Sequence, residues 1–293
     1  MARYREIAED LLARVAAGEL APGAALPSVR RAAAERGTTP ATVARAYAEL
    51  DRLGVLDAGP RRAARVVADG PLLARRALGG SRRLRLAGSD DPLLDQITGD
   101  VDRVGAAGSF GGVTALWQQR ADAATLHLRH RDGAYNVPFA GRILAGQDPL
   151  LVHLWRREQG IVVPRGNAQG ITSVADLAGS PVALRAAGTG TRVLLDRLLR
   201  EVGRDPGSLQ GPIVGTHLEA AMAVATGIAD ATIAIRAVAD RFDLDFMHLA
   251  WEPYELALPE VALHLATDLI HAAVSAQGLD GYDMSGAGAV TRL

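Results

Sequence analysis

The sequence predicts a mixed α/β chain of two unlike parts. A small, mainly helical unit over residues 1–68 and a junction over 69–83 precede a two-lobed α/β body over 84–293. Three observations lead there. The chain has 293 residues, 48% apolar and 22% charged, which is more than one ordinary domain needs. Its net charge of −1 conceals an asymmetry: residues 1–85 hold 16 arginines against nine acidic residues, and the remainder 16 against 24. The hydrophobic period also changes, from helical spacing before residue 56 to short apolar strands alternating with helices from Leu84 onward.

Composition excludes several functions. Without cysteine there are no disulfides, thiolate metal sites or thiol nucleophiles. All 32 basic residues are arginine, so Schiff-base chemistry, which needs a side-chain amine, is excluded. The seven histidines show no metal-ligand spacing with carboxylates, so no metal or cofactor is expected. No apolar run approaches the ~18–20 residues of a membrane span. The opening MARYREIAED is too charged for a signal peptide. A cytoplasmic location with no membrane partner is the expectation.

In the basic unit, Tyr4, Ile7, Ala8, Leu11, Leu12 and Val15 form one face of a first helix, which Gly18 stops. Ser28 follows Pro27 as N-cap of a second helix over 29–36, ended by Gly37. Thr39 caps a third helix, with Pro40 at the first position, where a missing N–H costs nothing. That helix buries Val43, Ala46, Tyr47, Leu50 and Leu53 and presents Thr42, Arg45, Glu49 and Arg52. Two short helices around a glycine turn make a helix-turn-helix, whose second helix can enter a major groove. Residues 55–56 and 64–67 read as a two-stranded wing. Arg61, Arg62 and Arg65 there are placed for phosphates, while Thr42 and Arg45 would read bases.

The segment LPSVRRAAAERGTTPATVARAYAELDRLGVL (26–56) resembles the winged helix-turn-helix of GntR-family transcription regulators, especially the YtrA/MocR-like branch. The resemblance covers about residues 3–67, with Ser28, Arg30, Thr42, Arg45 and Tyr47 on family positions. It implies DNA contacts from Ser28, Arg30, Thr39, Thr42 and Arg45. Such wings usually carry a glycine near the tip, where Ala63 and Ala64 stand here. A homodimer on a two-fold operator is expected, because one short recognition helix reads few base pairs.

The junction ADGPLLARRALGGSRR (68–83) contains room for one short helix over 71–78. In the body, strands are expected at 84–88, 121–128, 181–185, 229–235 and 254–259, with a strand-rich crossover at 150–164. Helices are expected at 92–97, 113–120, 191–202, 216–227 and 261–277. The alternation predicts a parallel sheet split into two lobes. Three junctions place glycine and a hydroxyl at a helix start: Gly88–Ser89, the run Gly108, Ser109, Phe110, Gly111, Gly112, and the run Gly188, Thr189, Gly190, Thr191. Free N–H groups there favour an anion in the crevice at the strand carboxyl ends.

In their order, GSDDPLLD (88–95), GSFGG (108–112), ADAATLHL (121–128), GAYNVPF (133–139), RREQGIVVPRGN (156–167), GTGTR (188–192), THLEAA (216–221), GIADATIAI (227–235) and YELALP (254–259) resemble a known family. It is the periplasmic-binding-protein-like domain fused behind helix-turn-helix modules and associated with molybdate or tungstate response. The resemblance implies two α/β lobes around a cleft, crossed near 152–164 and 252–256. Ser89, Ser109, Gly111, Tyr135, Arg185, Gly188, Thr189, Gly190, Thr191 and His217 are the candidate ligand residues. Arg185 has two readings, an anion clamp or a partner for a neighbouring carboxylate. Asp90 stands where relatives often have histidine, and Leu184, Ala186 and Ala187 replace a usually polar stretch, leaving space for a larger or less charged ligand.

Together these readings predict a one-component regulator whose operator binding depends on a small ligand, an oxyanion such as molybdate or tungstate. A different small organic ligand, or a carrier without regulatory role, is the alternative. An enzyme is not expected: the aminotransferase-like body of MocR relatives needs a lysine that is absent, and Ser89 and Ser109 lack a His–Asp partnership.

Overall fold

The structure, a computed structural model, describes residues 3–59, 62–79, 83–99, 101–276 and 279–293. The chain resolves into two compact units that divide between Arg83 and Leu84.

The first unit opens with α1 (Arg3–Ala16), α2 (Val29–Glu35) and α3 (Pro40–Arg52). Ser28 caps α2 by accepting from the Arg31 N–H, and Thr39 caps α3 by accepting from the Thr42 N–H. Each cap satisfies one N–H that the first turn leaves unpaired. The apolar stripes of the three helices meet in one core with Val43, Ala46 and Leu50 at its centre. Tyr47 lies in this core and donates its hydroxyl to the Pro27 carbonyl at 3.0 Å, so its role is structural. The wing is short: β1 (Leu56–Asp57) pairs antiparallel with β2 (Arg65–Val66).

The junction is more ordered than its composition suggests. Residues Gly70–Ala77 form α4, which packs on α1 and completely buries Ala74 in the first unit's core. The stretch from 69 to 79 is therefore part of the first unit and not a free linker.

The second unit is built on one ten-stranded sheet. Strands β3 (Leu84–Gly88), β4 (Val101–Ala107) and β5 (Ala123–Leu126) run parallel in the first lobe, with helices α5 (Pro92–Ile97), α6 (Gly108–Trp117) and α7 (Val137–Ile143) between or after them. The glycine-rich run at 108–112 lies inside α6, not ahead of it; its small side chains let the helix pack on β3 and β5. Strand β6 (Pro149–Val163) then carries the chain into the second lobe. There β7 (Val182–Arg185), β8 (Ile213–Val214) and β9 (Ala231–Ile235) are parallel, joined by α8 (Gly190–Glu201) and α9 (His217–Ala225). After α10 (Arg236–Arg241), β10 (Asp245–Pro259) returns antiparallel along β6 over almost its whole length.

The sheet is thus mixed: the expected parallel strands are present in each lobe, and the antiparallel strands β6 and β10 join them. Both crossings of the cleft are long strands paired with each other, and two antiparallel strands can only be neighbours if the second runs back along the first. β6 is buried on both faces, which is why its sequence lacks the alternation of a half-exposed strand. The closing helix α11 (Leu263–Ser275) is followed by β11 (Tyr282–Asp283) and β12 (Val290–Arg292), two short strands added to β6 that the sequence reading lacked.

Replacing Tyr47 by phenylalanine keeps the core volume but leaves the Pro27 carbonyl without its donor. The first unit should lose about 1 kcal/mol, read as a lower denaturation midpoint with unchanged helix content.

Candidate functional site

Two surfaces carry the residues singled out by sequence. On the first unit, Arg30 and Arg45 are exposed and Thr42 is half-buried at the start of α3. The Thr39 and Thr42 hydroxyls meet at 2.8 Å, and the Arg45 guanidinium lies 4.0 Å above the Tyr4 ring. That ring is a platform holding Arg45 on the exposed face. Arg62 is already paired with Asp57 in the wing, which weakens its reading as a free phosphate contact. Arg61 lies outside the described residues.

The second surface is the meeting of the two lobes. The carboxyl end of β3 delivers Ser89, Asp90 and Asp91; the end of β5 delivers His127; the end of β7 delivers Arg185. The starts of α8 and α9 bring Thr191 and His217 from the other lobe, and the crossing strands supply Arg157, Gln159 and Glu252. This is the crevice at strand carboxyl ends where open α/β sheets hold ligands. All of these side chains are buried except that of Asp90, which is about one-quarter exposed.

Two glycines show how closely the lobes approach. A Cβ at Gly190 would collide with the ring and carbonyl of His127 across the cleft. At Gly108, where φ is +62°, it would lie 2.8 Å from Thr189 Cγ2. Glycine is required at both positions for this approach.

Hydrogen bonds join the lobes in two chains. In one, Gln159 Nε2 donates to Thr191 Oγ1 at 3.1 Å and to Glu252 Oε2 at 2.8 Å, and the same oxygen faces His127 Nδ1 at 3.0 Å. In the other, Asp90 of the first lobe accepts from Arg185 Nη2 at 2.5 Å and from the His217 backbone N–H at 2.8 Å. Arg185 therefore holds a carboxylate of the neighbouring lobe. Behind this loop, Arg157 donates to the Asp90 carbonyl and to Asp91 Oδ2, both at 2.9 Å, and neither Arg157 nor Asp91 has exposed side-chain surface. The sequence reading named none of Asp91, Arg157, Gln159 and Glu252 as a site residue. The signal was present: the polar run RREQ (156–159) interrupts a strand that is largely apolar before and after it.

Several predicted hydroxyls are occupied by the fold. Ser109 Oγ accepts from the His127 N–H at 3.2 Å, and Thr189 caps α8 and donates to the Ala186 carbonyl. Gly111 lies within α6, and Gly188 packs near Phe110. Ser89 Oγ faces Arg157 Nη2 at 3.5 Å. Tyr135 is half-buried, and burial pushes its phenol up to about 12. By contrast, Arg185 Nε and Nη1, both ring nitrogens of His217, Arg157 Nε and Gln159 Oε1 are buried without a hydrogen-bond partner among the described residues. Buried polar groups are nearly always satisfied, and six that are not lie around this one crevice.

Burial opposes the charge of Asp90, but the Arg185 guanidinium and the His217 backbone N–H outweigh it and hold the carboxyl well below the aspartate range. Burial, then the Arg185 charge, push His217 well below the ordinary histidine range. Burial and the Arg157 charge likewise lower His127, against the opposing pull of Glu252. Both rings are neutral near pH 7, so His127 donates to Glu252 from Nδ1.

The unfolded chain protonates these histidines near pH 6.5 while the closed cleft resists it. Stability of the second unit is therefore full above that pH and falls on acidification, by up to about 1.4 kcal/mol per pH unit for each histidine. Denaturant titrations at pH 7.5, 6.5 and 5.5 should show this loss. The slope should be smaller in His217→Gln.

A family model described as PBP superfamily domain matches residues 100–272, and one described as bacterial regulatory proteins, gntR family, matches residues 3–66. The uncharacterized protein YvgK of Bacillus subtilis (strain 168) is 34% identical over 156 residues, 52% of this chain and 51% of its own. The uncharacterized HTH-type transcriptional regulator YhcF of the same strain is 41% identical over 54 residues, 18% of this chain and 45% of its own. The chain thus spans about half the length of the curated relatives it matches. Among solved structures, the effector binding domain of QuiR in complex with shikimate aligns with a TM-score of 0.46 at 14% identity, covering 65% of this chain and 96% of that one. The regulatory domain of Synechocystis PCC6803 CcmR in complex with 2-PG gives 0.44 at 12%, covering 64% and 97%. The chain belongs to the PBP superfamily, with a gntR-family helix-turn-helix module fused ahead of its PBP-like domain.

Proposed function

We propose that this protein is a one-component transcription regulator. Its first unit binds operator DNA, and a small polar ligand held between the lobes of the second sets that affinity. The observation that carries the reading is the set of buried, unpartnered polar atoms on Arg185, His217, Arg157 and Gln159 at the lobe junction. Fixed donors at strand ends and a helix start suit an oxygen-bearing ligand. Molybdate and tungstate, implied by the family resemblance, belong in the first probe set. Small organic acids stand beside them, because Asp90 and Asp91 already neutralise Arg185 and Arg157. No helix among the described residues is long and apolar enough to cross a membrane.

On the DNA side, the reading assigns base contacts to Thr42 and Arg45, and backbone contacts to Ser28, Arg30, Thr39 and Arg62. A homodimer fits it, since two recognition helices one helical turn apart read a two-fold site. Arg61 keeps its expected phosphate contact as part of the proposal only.

A mobility-shift titration with the protein's own operator, with and without each probe, tests the regulator. A ligand that shifts operator affinity must itself bind with affinity shifted by the same factor when operator is present. No change with any probe that stabilises the protein would overturn the reading. Arg45→Ala should weaken operator binding by about 1–3 kcal/mol if it makes a bidentate base contact. Arg30→Ala should weaken all sequences alike and flatten the salt dependence by roughly one phosphate. Equal, sequence-independent losses for both would remove Arg45 from readout.

A further inference from the structure

Asp90 occupies a place in the second lobe that has the chemistry of an anion seat. That seat is made of the Arg185 guanidinium, 3% exposed, and the first backbone N–H of α9, with the fully buried His217 ring beside it. The helix has its own cap, since Thr216 accepts from the Glu219 N–H, so Asp90 is not needed to begin it. Asp90 comes instead from the opposite lobe, 127 residues away in sequence from His217. Among the described residues, Nη2 alone of the guanidinium donors is used, shared between Asp90 and the Gly215 carbonyl, while Nε and Nη1 have no partner. A tethered carboxylate reaching one corner of the guanidinium satisfies the charge but not the geometry. A free carboxylate or oxyanion could take two guanidinium donors at once.

We propose that Asp90 is a resident occupant of an anion seat in the second lobe, and that the effector is a small oxygen-bearing anion that displaces it. The inference rests on the reading of the lobe junction as the effector site. Its consequence is competition: the chain's own carboxylate closes the lobes without ligand and sets the concentration at which an external anion takes over. Displacement leaves the Asp90 carboxylate facing solvent at the cleft mouth. The loop that carries it stays anchored from behind by Arg157, Tyr254 and Tyr282.

Formate, a carboxylate without a tether, is the probe. In full-length Asp90→Ala the thermal midpoint should fall in chloride. Formate at equal ionic strength should restore it saturably, at concentrations that leave the wild-type midpoint unchanged. The double variant Asp90→Ala/Arg185→Met should lose the rescue. Asp90→Asn, which keeps the shape of the side chain and removes its charge, should need at least tenfold less formate than wild type for half-maximal stabilisation. Absence of formate-specific rescue in Asp90→Ala, or an unchanged or higher formate requirement in Asp90→Asn, overturns the proposal. The two readings fail separately. Rescue with no probe altering operator binding would leave the seat and remove the regulator. An effector that alters operator binding with the same affinity in wild type and Asp90→Asn would leave the regulator and remove the resident carboxylate.

Discussion

Arg157 carries a charge with no exposed surface, in the middle of the strand that both lobes share, and the lobe junction is arranged around that fact. An unpaired guanidinium there would be intolerable, so Asp91 is drawn fully into the interior at 2.9 Å. Asp91 in turn accepts from the Leu93 N–H, starting α5, and from the Tyr282 hydroxyl in the late strand β11. The guanidinium lies 4.6 Å over the Tyr254 ring, and Tyr254 itself donates to the Ser89 carbonyl. Removing either member of such a pair leaves an uncompensated charge, at a cost of about 3–5 kcal/mol. The loop from Ser89 to Asp91 is therefore held from three directions, and Asp90 projects from a rigid base.

That rigidity matters because the lobes are joined by strands, not by a flexible linker. β6 and β10 pair through the junction, with register shifts between His248 and Ala250 and between Tyr254 and Glu255. Bulges relieve and redirect a ladder locally, so the ribbon can bend while staying paired. Glu158 sits beside the first of these shifts and holds both Arg236 and His248. The side-chain bridges that join the lobes beside this ribbon are those made by Asp90 and Gln159.

The parts legible in the sequence were those set by local chemistry. Ser28, Thr39 and Pro40 mark helix starts because capping depends on a residue and its near neighbours alone, and both caps form. The apolar stripe of α1 needed only a period. The direction of pairing along β6 and β10 was not legible, because an apolar run is equally consistent with parallel or antiparallel neighbours. Nor was the pairing of Arg185 with Asp90, since 95 residues separate them. Strands β11 and β12 are two and three residues long, too short for any period to show. Ser109 and Thr189 illustrate a different limit: a hydroxyl at a helix start looks the same in sequence whether it faces a ligand or pins the backbone, and here both pin the backbone.

The charge balance of the junction links its ligand to its histidines. Arg157 is neutralised by Asp91, Arg185 by Asp90, and Glu252 lies against a neutral His127. A monoanion that displaces Asp90 replaces one negative charge with another and leaves that balance as it was. A dianion adds a second charge in a place of low dielectric, where a missing countercharge is costly. His217 lies beside the seat and could supply that countercharge: its ring nitrogens have no hydrogen-bond partner among the described residues, and its neutrality comes from burial and from Arg185. Binding of a dianionic oxyanion would then be coupled to proton uptake on that ring, whereas a monocarboxylate would bind without it.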